Sequence, residues 1–328
     1  MIKFLLWVYT LSYGANEKNQ YKNKNRIKWI VCVCTFVIIK ECFYYYMKIR
    51  GFLRITPNLG TVINDDIIVS LTSFPARINN VWMVVDSICR QKMRPSSINL
   101  YLASEEFPNK ENDLPHILRR YEKYGLRIVW VTDNLKPHKK YYYSFQEFPD
   151  KAVITIDDDI YYRDDMISRL WKISRKEKNA ICANRVTPIL NSKFELSKYN
   201  DWGKGQNVTP GMSYNYLAIG TCGVLYPPNV LREKKVLDAD SIIRNCLNAD
   251  DLWLKCHEIL NEIPVKTGPF YCQSIELLGS QSVSLNTSNC DDTVMSGNDI
   301  QWGKLNEVYS VSNKLINLVK TENFLKTV

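Results

Sequence analysis

The clearest indication of chemistry in this chain is a run of three consecutive aspartates, Asp157, Asp158 and Asp159. They follow the apolar run 152–156, which predicts a buried strand. On an extended chain Asp157 and Asp159 point to the same side, where two oxygen ligands suit Mg²⁺ or Mn²⁺ completed by a substrate diphosphate. The triplet therefore predicts a nucleotide-diphosphate site, of the kind that binds a nucleotide-sugar. The alternative interpretation is an acidic loop that ends a strand.

A second acidic pair, Asp250 and Asp251, lies in the first turn of a helix predicted over residues 247–260. The helix dipole favours carboxylates at that end, which is the purely structural explanation. The functional explanation is a general base, because a carboxylate can remove the proton of an acceptor hydroxyl as it attacks a sugar. The sequence leaves open which of the two acts, with Asp251 slightly preferred.

The exit of the first predicted strand, residues 67–71, carries Thr72, Ser73 and Arg77. Arg77 could pair with a phosphate, and Thr72 and Ser73 could contact the ribose or the base. The alternative is that Pro75 merely ends the strand and Arg77 is solvated. We expect the functional role because this exit should lie beside the aspartate triplet.

The exit of the third predicted strand, residues 128–131, carries Asp133, Lys139 and Lys140. Lysines near a carboxylate cluster could neutralise a diphosphate, although a run of charges is more often a solvated face. We predict that Asp133, Lys139 and Lys140 contribute to donor binding, with His138 a weaker candidate.

Between residues 64 and 175 the hydrophobic pattern alternates between strands and helices. Strands are predicted at 67–71, 98–102, 128–131 and 152–156, and helices around 81–88, 114–124, 141–148 and 166–173. Helices between successive apolar strands predict a mostly parallel, Rossmann-like α/β sheet flanked by helices. In such sheets ligands bind beyond the carboxyl ends of the strands, so the candidate residues should converge there.

The N-terminal arm, residues 1–54, holds most of the net charge: ten basic and two acidic residues give +8, of a total of +9. The remaining chain has 33 basic and 32 acidic residues, which gives no reason to expect nucleic-acid binding. The apolar run 29–39 is about 16 Å long as a helix, against roughly 30 Å of hydrocarbon. We expect an apolar, basic helical arm that lies on an anionic membrane surface. Docking on the protein's own core and a true span are the alternatives.

The ten cysteines include no C-x-x-C pair and lie singly in apolar settings, as reduced cysteines do in protein cores. This usage indicates a reducing compartment. The predicted location is therefore the cytoplasmic face of the membrane, in peripheral or monotopic form.

Four segments together resemble the bacterial GT-A glycosyltransferases, near the family 2-like enzymes of capsular and surface polysaccharide synthesis. They are residues 67–77 (I-I-V-S-L-T-S-F-P-A-R), 154–160 (I-T-I-D-D-D-I), 220–228 (G-T-C-G-V-L-Y-P-P) and 249–253 (A-D-D-L-W). The resemblance covers roughly residues 65–310 and implies a GT-A-like domain there. The arm 1–54 would precede this domain, and a helical tail, 311–328, would follow it.

The resemblance implies that Asp157 and Asp159 bind the metal and, with Asp158, the nucleotide diphosphate. It also implies that Thr72, Ser73 and Arg77 meet the nucleotide, that Asp250-Asp251 supplies the base, and that transfer inverts the anomeric centre. The pair departs from the family's commoner Glu-Asp, and the Gln-x-x-Arg-Trp motif of processive synthases is absent.

Two other classes of function stay open. A nucleotidyltransferase acting on sugar phosphates also uses paired aspartates and Mg²⁺, but it usually has a glycine-rich loop after the first strand. A non-catalytic membrane scaffold would keep the sheet without binding nucleotide. Neither G-x-G-x-x-G nor G-x-x-x-x-G-K-S/T occurs, which disfavours dinucleotide cofactors and P-loop hydrolysis.

Overall fold

The computed structural model describes residues 1–17, 26–204, 206, 208–231, 233–269, 274–278 and 296–327. The helices are α1 (Ile2–Glu17), α2 (Arg26–Phe52), α3 (Ile78–Cys89), α4 (His116–Arg119), α5 (Lys139–Glu147), α6 (Met166–Ser174), α7 (Ala239–Asn245), α8 (Asp250–Leu260), α9 (Gly297–Tyr309) and α10 (Val311–Thr327). The strands are β1 (Val62–Thr72), β2 (Met93–Ala103), β3 (Leu126–Val131), β4 (Ala152–Thr155), β5 (Ile160–Tyr161), β6 (Ile181–Ala183), β7 (Val186–Pro188), β8 (Gly211–Ser213), β9 (Tyr216–Ala218), β10 (Val224–Tyr226), β11 (Val265–Thr267) and β12 (Ile275–Glu276).

Within the described residues, eight strands form a central sheet in the order β3-β2-β1-β4-β10-β6-β11-β8. The pairings β3-β2, β2-β1, β1-β4 and β6-β11 are parallel. β10 runs antiparallel to both of its neighbours, and β8 runs antiparallel to β11. The predicted fold class is confirmed: this is an α/β protein with a mostly parallel sheet.

The central strands are covered on both faces, as their side-chain alternation shows. In β4, Ile154 packs into one hydrophobic core and Val153 into the other. In β10, Leu225 joins the first core, and Val224 and Tyr226 join the second. Because successive side chains of a strand point to opposite faces, this alternation means that helices cover both faces of the sheet.

The helix predicted over residues 114–124 is largely wrong. The segment contains only the short helix α4 and 3₁₀ turns, and it ends at Gly125, whose φ of 100° requires glycine. Of the four described residues of α4, Leu118 alone is buried. The apolar face is therefore too short to support a three-turn helix by packing.

The described parts of the N-terminal arm are helical, as predicted, but α2 does not stop where its apolar run is interrupted at Lys40-Glu41. It continues as one 27-residue helix because Lys40 turns toward the protein and its Nζ lies 3.1 Å from the Glu276 carboxylate. Together α1 and α2 form what we call the N-terminal helix pair. Leu5 and Leu6 of α1 belong to the same hydrophobic core as the sheet.

A buried carboxylate, Asp86 of α3, ties the end of α2 to the rest of the fold. Its oxygens accept hydrogen bonds from the hydroxyls of Tyr121 at 2.9 Å and Tyr161 at 3.1 Å, and from the Arg90 guanidinium. Arg50 of α2 lies 3.5 Å away. Since a buried charge is stable only when it is paired and hydrogen-bonded, Asp86 holds α2, α3 and β5 in fixed relation.

Candidate active site

The site lies where β1, β4 and β10 meet at one edge of the sheet. β1 and β4 are parallel neighbours with Ser70 opposite Thr155, so both chains leave the sheet at the same end. β10 is antiparallel, with Val224 opposite Thr155, and it therefore begins at that end. This topology brings Ser73, the aspartate triplet and the segment that precedes Val224 together.

Arg77 and Ser73, from the exit of β1, contact the middle and last aspartates. The Ser73 hydroxyl donates to Asp158 Oδ2 at 2.6 Å, and Arg77 Nη1 donates to Asp158 Oδ1 at 2.7 Å. The same Nη1 lies 3.2 Å from Asp159 Oδ2. In this structure Arg77 thus neutralises two carboxylates, rather than projecting into solvent where a phosphate would reach it.

Asp158 and Asp159 carry more negative charge than one arginine can balance. Burial raises the pKa of Asp158, and Arg77 opposes that rise. Burial, followed by repulsion from Asp157 and Asp158, raises the pKa of Asp159 to about 7 despite Arg77. The loop therefore favours an additional cation.

The carboxylates at Asp157 and Asp159 fit a divalent ion by their chemistry, since both offer hard oxygen donors. In the described part of the chain, no three His, Cys, Asp or Glu side chains converge to hold a metal by themselves. Mg²⁺ is commonly bound through one or two carboxylates and completed by substrate phosphates and water. Asp157 and Asp159, in a loop with excess negative charge, match this mode of binding.

Lys140, in the first turn of α5, joins the two acidic segments. Its Nζ lies 2.9 Å from Asp157 Oδ1 and 2.9 Å from Asp250 Oδ2, and its side chain is 8% exposed. Burial alone would lower the pKa of Lys140, but attraction by Asp157 and Asp250 outweighs it and raises that pKa well above its usual value. The structure thus places the predicted metal site and the predicted base in one cluster.

Asp250 and Asp251 differ in their surroundings. Burial raises the pKa of Asp250, and the Lys140 ammonium opposes that rise. Asp251 accepts a hydrogen bond from the backbone N–H of Leu252 at 2.9 Å. Burial, followed by repulsion from Asp250, raises the pKa of Asp251 to about 7. Such a value suits a group that must accept a proton near neutral pH.

Three of the predicted site residues are not drawn into this cluster. Lys139 turns away from its neighbour Lys140, and its Nζ binds Asn134 Oδ1 at 2.7 Å and Glu106 Oε2 at 3.2 Å. The Thr72 hydroxyl donates to the Tyr101 carbonyl at 2.8 Å. Asp133 is exposed at the exit of β3.

Three further residues, none of them predicted as a site residue, contact the site or act on its charges. The backbone N–H of Asp157 donates to the hydroxyl of buried Tyr162 at 2.9 Å. The Glu276 carboxylate contributes to the raised pKa of Asp159. A Cβ at Gly220 would lie 3.1 Å from Asp157 Oδ1, so glycine permits this close approach. Only Gly220 had a local signal, the closely spaced glycines at 220 and 223.

No protein-family model matches the chain, and no curated protein matches it. Among solved structures it is similar to S. aureus TarS 1-349 in complex with UDP, at 12% sequence identity and a TM-score of 0.42. That similarity covers 63% of this chain and 59% of the other, so the chain spans about three-fifths of the TarS fragment's length. It is also similar to 4-diphosphocytidyl-2C-methyl-D-erythritol synthase from Anaerococcus prevotii, at 14% identity and a TM-score of 0.37. That second similarity covers 68% of this chain and 93% of the synthase.

Proposed function

We propose that this protein is a glycosyltransferase that moves a sugar from a nucleotide-diphosphate donor to a hydroxyl of an acceptor. The observation that carries the proposal is the position of Lys140, 2.9 Å from both Asp157 and Asp250. It means that carboxylates suited to a metal–diphosphate group and carboxylates suited to a base share one site. Sugar transfer needs both, because the diphosphate must depart while the acceptor hydroxyl loses its proton.

For the donor side, we propose that Asp157 and Asp159 hold Mn²⁺ or Mg²⁺. When bound, such an ion supplies positive charge that offsets the charge of a departing diphosphate. Ser73 and Arg77 fix Asp158 and thereby the course of the loop. Lys140 adds a positive charge beside Asp157, where the diphosphate would approach.

For the acceptor side, we propose that Asp251 is the general base. Its raised pKa keeps it able to take a proton at neutral pH, whereas the neighbouring Asp250 is bound to Lys140. A base that acts directly on the acceptor hydroxyl gives a single displacement with inversion. We further propose that the acceptor is a glycan or a lipid-linked glycan of a capsular or other surface polysaccharide.

The proposal is tested by the thermal unfolding midpoint of the protein with a panel of nucleoside diphosphates, with and without Mn²⁺. We expect one diphosphate to raise the midpoint only when metal is present, and Asp159→Asn to abolish the rise. Asp201→Asn is the matched control, since Asp201 is half exposed and pairs only locally with Lys204. A panel without any shift would refute the proposal and leave the scaffold interpretation.

A nucleotidyltransferase would give a different pattern in the same assay. It would respond to a nucleoside triphosphate and, with a sugar phosphate, would release pyrophosphate. The loop after β1 speaks against this alternative, because residues 73–77 contain no glycine and Arg77 is already engaged by Asp158 and Asp159.

A further inference from the structure

The helix α2 has two opposite apolar faces. Its inward face packs against the sheet side of the protein through Phe43 and Met47, which are buried. Its outward face is a stripe of exposed large apolar side chains, interrupted at Glu41, which we call the outer stripe. The outer stripe comprises Ile27, Ile30, Val31, Val37, Ile38, Tyr45, Ile49 and Phe52. At about 100° per residue these positions fall on one side of the helix, and Phe43 and Met47 fall on the other.

The helix α1 repeats this division. Leu5, Leu6 and Tyr9 are buried, whereas Phe4 and Trp7 are exposed. The rings of Tyr9 and Phe36 lie 4.9 Å apart and join the two helices. The N-terminal helix pair therefore has one face that completes the core and one that presents apolar side chains outward. A row of large apolar side chains exposed on a protein surface indicates an interaction site.

Membrane spanning by α2 conflicts with its contacts. The segment Trp29–Phe52 is long and apolar enough to cross a membrane by length and composition. However, Lys40 pairs with Glu276, and the Phe43 ring lies 4.8 Å from that of Tyr161. Residues 27–39, which precede these contacts, are only about 20 Å long, against roughly 30 Å of hydrocarbon.

We infer that the outer stripe lies flat in the interface of an anionic lipid membrane, in contact with lipid along the whole of α2. Charge complementarity selects this partner. Apart from Lys40 and Arg50, which pair inward with Glu276 and Asp86, the arm has eight basic and two acidic residues, whereas the rest of the chain has a net charge of only +1. Lys40, in the middle of α2, meets Glu276 on the inward side and is therefore not driven into hydrocarbon. The inference is independent of the reaction proposed above.

The test compares two double variants of the full-length protein, one at each end of the outer stripe. Ile27→Ser with Ile30→Ser alters the first end, and Ile49→Ser with Phe52→Ser alters the second. Binding is measured by co-sedimentation with vesicles of phosphatidylglycerol and phosphatidylcholine, and with vesicles of phosphatidylcholine alone. We expect preference for the anionic vesicles and a loss of about tenfold or more in partitioning for each double variant, because each removes two large apolar side chains from lipid.

The matched control is Ile243→Ser with Val308→Ser, on α7 and α9, whose side chains are as exposed as Ile49. This pair should leave partitioning unchanged, and all variants should keep the wild-type unfolding midpoint. If only the variant at the first end lost binding, flat contact along α2 would be wrong. Equal binding by all variants would overturn the inference, as would self-association that disappears in the double variants without any change in vesicle binding.

Discussion

The two acidic segments of the site, residues 157–159 and 250–251, both consist of aspartates, but their negative charges are balanced in different ways. Asp158 and Asp159 share Arg77, and Asp157 has Lys140. In the second segment, Asp250 pairs with Lys140, and Asp251 accepts a hydrogen bond from the backbone N–H of Leu252. The first segment is thus built around cations, and the raised pKa of Asp159, about 7, reflects negative charge that a further cation would balance. In the second segment the pKa of Asp251 is also raised to about 7, by burial and by repulsion from Asp250.

This difference separates two tasks that aspartates can perform. A carboxylate that binds a metal–diphosphate group must remain charged, which neighbouring cations favour. A carboxylate that acts as a base must exchange a proton near the working pH, which burial and a neighbouring carboxylate favour. Lys140 lies between the two segments, so its removal should affect both tasks.

The largest effect is expected for Asp251→Asn. It removes the proposed proton acceptor without adding or removing a heavy atom, and we expect the transfer rate to fall by about 10²–10⁴-fold. The metal-dependent thermal shift by the donor diphosphate should remain. The measurements are single-turnover transfer and the thermal shift with Mn²⁺.

Asp250→Asn is the matched comparison for that prediction. It should lower the rate less than Asp251→Asn, because Asp250 contacts Lys140 and not the acceptor in our proposal. If Asp250→Asn proved the more damaging of the two, the roles assigned to the pair would have to be exchanged.

Lys140→Met should change metal binding and transfer in opposite directions. The substitution leaves Asp157 and Asp250 without their common counter-ion, so we expect Mn²⁺ to bind about tenfold more tightly. Transfer should slow about tenfold or more, because a positive charge beside the diphosphate is lost. Mn²⁺ binding is measured by electron paramagnetic resonance and transfer by the same single-turnover assay.

Lys139→Met provides the control, since Lys139 is the adjacent buried lysine but contacts Glu106 and Asn134 instead. It should leave Mn²⁺ binding unchanged. Weaker Mn²⁺ binding by Lys140→Met than by the wild type would contradict the counter-ion role of Lys140.

The smallest effect is expected when the rate of sugar transfer is measured as a function of pH with saturating donor. The raised pKa of Asp251, about 7, means that this carboxyl becomes protonated as the pH falls below that value. A protonated carboxyl cannot accept a proton, so the rate should fall by about tenfold per pH unit below the pKa. The acidic limb should be missing from the residual activity of Asp251→Asn; a limb that persists there would assign it to another group.

Much of the sheet could be predicted from sequence because its central strands are buried on both faces. The apolar runs that end at Leu71, Leu102 and Ile156 each coincide with a central strand, and the run that ends at Val131 coincides with the edge strand β3. The aspartate triplet could likewise be placed at a strand exit. The antiparallel insertion of β10 could not be predicted, since a three-residue apolar run contains no information about strand direction.

Other parts of the site depend on contacts between residues far apart in sequence. Lys139 and Lys140 are indistinguishable in composition, and only the orientation of α5 decides that Lys140 faces Asp157. In the sequence Lys40 interrupts an apolar run, and the partner that accommodates its charge, Glu276, lies in a distant part of the chain. Burial around Asp251, which sets its pKa, is likewise a property of the assembled fold.

The carboxylate of Asp86 has a practical consequence for producing this protein. A fragment that begins after the arm would lack Arg50, and it would also lose Phe43 and Met47 from the core. Such a fragment would expose the apolar surface of α3 and Tyr161 to water, which favours aggregation. Efforts to obtain the protein in soluble form should therefore keep α2 and replace outward side chains such as Ile38 and Phe52 with polar ones.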